Sequence, residues 1–536
     1  MKRRIWASIG MTTIGVSLLA AAMFAGSAAA SSESATVKKG GSITITNRSD
    51  FDYADPGLSY FSHTWNMMAA TQLTLVYYPH VEGPAGGRLT GMAASMPKVS
   101  RNGRTYTFTV KKGFKFNTGQ PVTAANFKRA FDRALNKDMQ SPASSFLDDV
   151  ASYTANGQVF TVNLKKNAPD FLSRMSMMFF AAVPTNLPFT AEGVDAPVVS
   201  AGPYYMKEWN KKSSALIVRN PNWKNNVEPF KSLGFDNNLD QVRWVVGADP
   251  ATQRLQCEKG EADICGFPPA QAKELSDKYG INKSQFFVKR QTTLWYLAMN
   301  TSRDLFGNVN LRKAVSNAID RRFMVAQHGY LAGKRTDQFL PYPMPGFKEF
   351  DIYSLKGPNY PKAKALAQGN TGSGKAVMYT FNTAQGPPIA QSVQFNLKQI
   401  GIDVEIKLLD RVVQHEKAAT RGEPFDLTLE GWGMDYPDPS NFINVLLDGR
   451  RIQADNNVNA SYFNNSTVNA RMDKANSLAG QARLTAYGLL DRDIMKDYAP
   501  VAPYISTNAR ILTSTKVGCY GYTSIQGSLL TQLCVK

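Results

Sequence analysis

The 536-residue chain has only four histidines, His63, His80, His328 and His415, each isolated from the others in sequence. A HExxH zinc helix is therefore absent, and no histidine cluster marks a metal centre. Cysteine is as scarce: there are four, neither close pair has CxxC spacing, and no histidine stands beside them, which argues against zinc. No GxSxG nucleophile elbow occurs. The stretch "GNTGSGKA" (369–376) has the glycine and lysine spacing of a P-loop. However, Ala376 stands where a Ser or Thr hydroxyl would hold magnesium, and the glycines run into the strand-like "AVMYTF" rather than from a strand into a helix. It reads as a turn. Adjacent acids such as Asp148 and Asp149 do not by themselves make a glycosidase pair. The expectation is a protein that is not an enzyme and carries no cofactor and no metal.

Long apolar runs are also missing, with one exception at the start. Lys2, Arg3 and Arg4 precede an apolar stretch from Ile5 to Gly26, which ends in "SAAA" before the polar "SSES". This is the layout of a secretory signal, with cleavage expected after Ala30. The same stretch is long enough to span a bilayer if retained. The first cysteine is Cys257, so no acylation site follows the apolar run and a lipid anchor is not expected. The location implied is the periplasm, cell envelope or extracellular space. In an exported chain four cysteines should pair, and near neighbours join Cys257 to Cys265 and Cys519 to Cys534. The formal charge is +19, but its basic residues are scattered in ones and twos. That pattern fits solubility beside an anionic envelope better than nucleic-acid binding.

About five hundred residues remain after the signal, enough for two or three lobes. Period-two strand patterns occur at 42–47, 106–110, 159–164, 402–409 and 425–431. Helical stripes alternate with them. Thr123 is a candidate N-cap for a helix burying Phe127, Ala130, Phe131, Ala134 and Leu135. The stretch "VNLRKAVSNAIDRRFMV" aligns Leu311, Ala314, Val315, Ala318 and Ile319. A third stripe, Ile389, Val393, Leu397 and Ile400, ends at Gly401, a candidate left-handed stop. Such alternation predicts α/β lobes with mixed sheets, and no fixed-period repeat is present.

Four stretches, taken in order, carry a resemblance: "YTFTVKKGFKFNTGQPVTAANFKRAFDRAL" (106–135), "SAGPYYMKEWNKKSSALIVRNPNW" (200–223), "LAMNTSRDLFGNVNLRKAVSNAIDRR" (297–322) and "FDLTLEGWGMDYPDPSNF" (425–442). Together they resemble the extracytoplasmic solute-binding proteins of peptide ABC importers, family 5. The resemblance implies a two-lobed Venus-flytrap α/β fold with an extra small subdomain. Residues 1–30 would be the signal peptide. Residues 31–290 plus 499–536 would form the first lobe, with 81–196 as the subdomain, and 291–498 the second. Crossings near 292–300 and 499–506 would act as the hinge. The implied function is capture of a small peptide in the interdomain cleft and delivery to ABC permease subunits served by a cytoplasmic ATPase. The chain would act as a monomer and bind no nucleic acid.

The resemblance also names the site. In peptide-binding relatives the aspartate two positions after a Gly-Trp-Gly-like triplet holds the ligand amine, and here that residue is Asp435. Trp432 would wall the cleft, Tyr436 would add to the lining, and Tyr60 belongs to "DYADPGLSYF" (52–61), which is similar to the family's N-terminal site loop. Asp438 reads as a turn or cap residue and Phe442 as core. The other reading makes Trp432 core and Asp435 a cap for a helix beginning near Ser440. Dipeptide-selective relatives carry an arginine where this chain has "FNTAQGPPIA" (381–390), so Arg411 is the remaining candidate for a ligand carboxylate. The alternatives kept open are a binder of a sugar, opine or metal chelate, and an exported peptide-binding chaperone or hydrolase on the same scaffold.

Overall fold

The computed structural model describes residues 39–194, 196–223 and 232–536. The expected signal segment lies outside the described residues. An eleven-stranded mixed sheet organises the chain. Across it run Asp403–Leu409, Lys375–Phe381, Leu427–Gly433, Phe286–Met299, Val501–Thr513, Ile264–Cys265, Ser42–Asn47, Gln241–Val246, Ser214–Arg219 and Tyr204–Asn210. Gly333–Arg335 joins Val501–Thr513 off that path.

Two of these strands are long enough to belong to both ends of the sheet. Phe286–Met299 pairs antiparallel with Val501–Thr513, from Phe286 opposite Leu512 to Ala298 opposite Val501. The later half of the first also pairs with Leu427–Gly433, and the far end of the second pairs with Ile264–Cys265. Their register breaks between Arg290 and Leu294, an irregularity of the kind that locally bends and twists a ribbon. Alternation along the first strand then feeds two cores. Leu294, Tyr296 and Ala298 pack into one with Met68, Phe179 and Phe442. Leu297 and Met299 pack into another with Leu311, Val315 and Val393.

A separate four-stranded sheet runs Lys98–Val99, Thr105–Thr109, Val159–Leu164, Val150–Asn156. The helix Ala124–Leu135 packs against it, opened by a reciprocal cap between Thr123 and Asn126. Phe127, Ala130, Phe131 and Ala134 are buried as their spacing predicts, but Leu135 is exposed because it is the last helical residue before the chain turns at Asn136. The stripe Leu311, Ala314, Val315, Ala318 and Ile319 is likewise buried. It lies on a helix, Val309–Ala318, that stops at Ile319, because the Asp320 carboxylate caps a second helix, Arg321–Ala326, by accepting from the Phe323 N–H. The third stripe is continuous over Gly386–Lys398, and Gly401 has φ +86°, a left-handed position that turns the chain into Asp403–Leu409. The P-loop-like glycines form the turn ahead of Lys375–Phe381.

The cysteines pair as expected, Cys257 with Cys265 and Cys519 with Cys534. The second bridge spans 15 residues of a C-terminal segment made of two-residue strands. With so few ladder hydrogen bonds, the cross-link supplies much of that segment's order. In the chain-entropy account such a loop is worth about 3 kcal/mol. Replacing Cys519 and Cys534 together by serine should therefore lower unfolding stability by about that amount in denaturant titrations under oxidising conditions, and the difference from the wild type should vanish in reductant.

Candidate functional site

Leu427–Gly433 alternates its side chains so that Thr428, Glu430 and Trp432 share one face. Trp432 stands opposite Leu294, and Glu430 opposite Tyr296. On the other face Gly431 faces Trp295, whose indole lies so close that a Cβ on residue 431 would meet ring atoms at 2.9 Å. The missing side chain admits the ring, and the strand keeps its place. Past Gly433 the chain turns through Pro437 and Pro439 into the helix Ser440–Leu447. That turn folds Asn441 back onto Asp435. The Asp435 N–H donates to Asn441 Oδ1 (3.0 Å), and Asn441 Nδ2 donates to Asp435 Oδ2 (2.7 Å). The Trp432 indole N–H donates to the same Asn441 Oδ1 at 3.4 Å.

From the other end of the chain Tyr60 completes the group. Its hydroxyl donates to Asp435 Oδ2 at 3.0 Å, and its ring meets Trp432 edge-on, 6.2 Å between centroids. Tyr60 is held by Asp52, whose carboxylate accepts from the backbone N–H groups of Tyr60 and Phe61 and from the hydroxyls of Ser59 and Thr64. Trp65 and Phe179 pack around the Tyr60 ring. The sequence reading did not single out Asp52 or Asn441. Asp52 lies inside the quoted loop, and its density of nearby hydroxyls and N–H donors is a legible signal. Asn441 needed the turn geometry.

Asp435 is the electrostatic centre. Both neutral donors go to Oδ2, and Oδ1 has no hydrogen-bond partner among the described residues. No arginine, lysine or histidine among the described residues pairs with it. Burial among the surrounding rings pushes its pKa up to about 7, against which the bonds from Asn441 and Tyr60 pull down. The residue as a whole is only partly buried, so solvent still reaches the group. The helix cap falls to its neighbour: the Ser440 N–H donates to Asp438 Oδ1 at 2.9 Å. Asp438 also binds Arg483 at 2.7 Å, which agrees with its expected role in the turn.

The structure places the remaining candidates apart from this centre. Tyr436 is 2 % exposed, with its hydroxyl 3.5 Å from Asp170 and 3.4 Å from Ser440. Asp170 is held below the usual carboxylate range by Arg174 and Arg483, which outweigh its burial. Phe442 is core. Arg411 opens the helix Arg411–Ala419 rather than lying on a strand edge. Its guanidinium sits over Trp295 and Phe381, 5.1 and 5.0 Å from their centroids, and 3.8 Å from Glu430. His415, read as an isolated residue, is 3.4 Å from Glu430. That contact joins a helix to a strand and leaves no local sequence signal.

Comparison with known proteins identifies the family and the fold. Residues 89–454 match the family described as bacterial extracellular solute-binding proteins, family 5 Middle. The chain is 26% identical over 455 residues to the probable D,D-dipeptide-binding periplasmic protein DdpA of Escherichia coli, covering 83% of this chain and 84% of that one. It is 24% identical over 520 residues to the dipeptide-binding protein DppE of Bacillus subtilis, covering 89% and 88%. The solved structure of clavulanic acid biosynthesis oligopeptide binding protein 2 superposes with TM-score 0.83 at 23% identity, over 93% of this chain and 96% of that one. The fold is thus the two-lobed binding-protein fold.

Asp435 makes a stability prediction of definite sign. Its pKa rises from the ordinary 3.8 to about 7 on folding, so the folded chain holds this proton more tightly than the unfolded chain. Its contribution to stability is complete below pH 4 and is lost as pH rises through 7. Asp435→Asn should therefore melt higher than the wild type at pH 8, and the gap should close towards pH 4. Thermal melts across that range check it.

Proposed function

The chain belongs to the bacterial extracellular solute-binding proteins of family 5, and from that premise we propose that it is a receptor that grips a small peptide by its free amine and delivers it to the permease subunits of an ABC importer. One observation carries this reading: a half-buried carboxylate, paired with no cation among the described residues and with one oxygen unoccupied, beside Trp432 and Tyr60. An extended peptide presents one ammonium, repeated backbone polar groups and variable side chains. A receptor that fixes the ammonium by charge and the backbone by main-chain pairing need not read the side chains. Asp435 Oδ1 is the group for the ammonium. Arg411, stacked on rings, donating to Gln414 Oε1 at 2.7 Å and only 3.8 Å from the Glu430 carboxylate, is the candidate for a ligand carboxylate.

In this reading 31–290 with 499–536 is one lobe, carrying 81–196 as its subdomain, and 291–498 is the other. The two long strands with their register break near Arg290 support a hinge there, and closure about a hinge is how such receptors trap ligand. The chain acts as an exported monomer without a lipid anchor. Cleavage after Ala30 should leave a mature N-terminus within a few residues of Ser31, as N-terminal sequencing of exported protein would read.

Asp435→Asn keeps the shape and removes the charge. Leaving a desolvated ammonium unpaired should weaken peptide binding by roughly 2 to 5 kcal/mol, or about thirtyfold to several thousandfold. Calorimetry with a peptide and its N-acetylated twin tests this: the wild type should reject the twin and the mutant should hardly distinguish the two. Wild-type affinity should also fall about tenfold per unit as pH drops below about 7, because the ammonium binds the ionised carboxylate and must displace its proton. Equal wild-type affinity for both peptides would overturn the reading.

A further inference from the structure

Trp432 also borders a small space, lined by Tyr296, His415, Ala418, Glu430, Val458 and Asn457, whose amide is taken up by the Asn459 backbone, and large enough for about one water. Glu430 is buried at its floor. Its Oε1 is filled by the Gln414 side-chain amide (2.6 Å) and the Thr428 hydroxyl (3.3 Å). Its Oε2 has only distant neighbours, His415 Nδ1 at 3.4 Å and Arg411 Nη2 at 3.8 Å. An ionised carboxylate accepts about four hydrogen bonds, so Oε2 has capacity left, and His415, Arg411 and the Gln414 amide keep Glu430 ionised. Tyr296, the direct cross-strand neighbour of Glu430, is buried and lines the same space, and its hydroxyl has no hydrogen-bond partner among the described residues. Tyr296 stays protonated, since burial and the nearby Glu430 charge both push its pKa up.

The two polar groups ask for different things. Glu430 can only accept, and the Tyr296 hydroxyl is free to donate. An alcohol satisfies both at once. An ammonium or guanidinium cannot accept from Tyr296, and it would meet the Arg411 cation beside Glu430. A carboxylate cannot donate to Glu430. A methyl group would leave both polar atoms desolvated and unpaired, the situation that makes hydroxyl-reading sites selective. The apolar rim of Ala418, Val458 and Trp432 suits a short aliphatic stem.

We infer that this space is a side-chain subsite of the ligand cleft that selects a small hydroxylated residue, serine or threonine, through Glu430 and Tyr296. The inference rests on the peptide reading above and deepens it. Glu430 and Trp432 stand two residues apart on one strand face, about 7 Å along the strand, so the subsite continues the wall that carries the ligand past Asp435.

The test is calorimetry of the purified protein with trialanine and with tripeptides carrying threonine, valine or lysine at each position in turn, together with N-acetyl trialanine. Threonine and valine have nearly the same shape, so their ratio isolates the hydroxyl. Threonine should bind roughly tenfold or more tighter than valine at one position and not at the others, with lysine weaker than threonine there. In Tyr296→Phe that ratio should fall towards one. Threonine and valine binding alike at every position, while the acetylated tripeptide is still rejected, would overturn the subsite and leave the amine reading standing. A preference for lysine over threonine would also overturn it. If no free-amine tripeptide binds better than the acetylated one, both readings fall.

Discussion

The antiparallel pairing of Phe286–Met299 with Val501–Thr513 is the constraint on which the rest of the structure depends. These strands lie far apart in the sequence, yet every element of the candidate site hangs from one or the other. Leu427–Gly433, which presents Glu430 and Trp432, is registered directly on the first. Ile264–Cys265, next to the second, leads through Ser42–Asn47 to the loop that carries Asp52 and Tyr60. The distance from Tyr60 to Asp435 is therefore set by a chain of backbone ladders whose register shifts twice, between Arg290 and Leu294 and between Trp295 and Tyr296.

Much of this was legible in the sequence because it is local. Period-two strands, the Thr123 cap, the Gly401 stop and the pairing of near-neighbour cysteines are each decided within about fifteen residues. What failed was decided at element ends. Leu135 has the spacing of a buried residue but sits where its helix has already run out, and Asp320 divides a stripe that periodicity alone reads as continuous. At the candidate site, the nearness of Trp432 and Asp435 follows from their motif. Their partners were not legible: Asn441 returns through a turn of two prolines, and His415 and Gln414 reach Glu430 from a helix whose docking no residue spacing encodes. Tyr436 illustrates the converse. A tyrosine in an aromatic-rich motif suggests a cleft wall, but the same turn that frees Asp435 rotates its neighbour into the protein against Asp170.

Three aspartates whose charge is at least partly withdrawn from water show that burial alone does not single out a candidate binding group. Asp170 has Arg174 at 3.4 Å and Arg483 nearby, accepts from the Ser440 hydroxyl, and is kept ionised by these cations. Its charge is spent on holding 170–174 against 436–440 and 483. Asp491, like Asp435, has no cation and is pushed up to about 7 by burial, but each of its oxygens accepts a backbone N–H, from Phe339 and from Leu340. It ties down a loop, with both oxygens engaged by the backbone. Asp435 alone among the three combines the missing cation with an oxygen left empty, since Tyr60 and Asn441 both donate to Oδ2. A protein interior tolerates an uncompensated carboxylate poorly. In the proposed reading an incoming ammonium completes this one, because the desolvation cost is then met in the folded chain before binding and the ligand's charge gains the attraction of a carboxylate in low-dielectric surroundings.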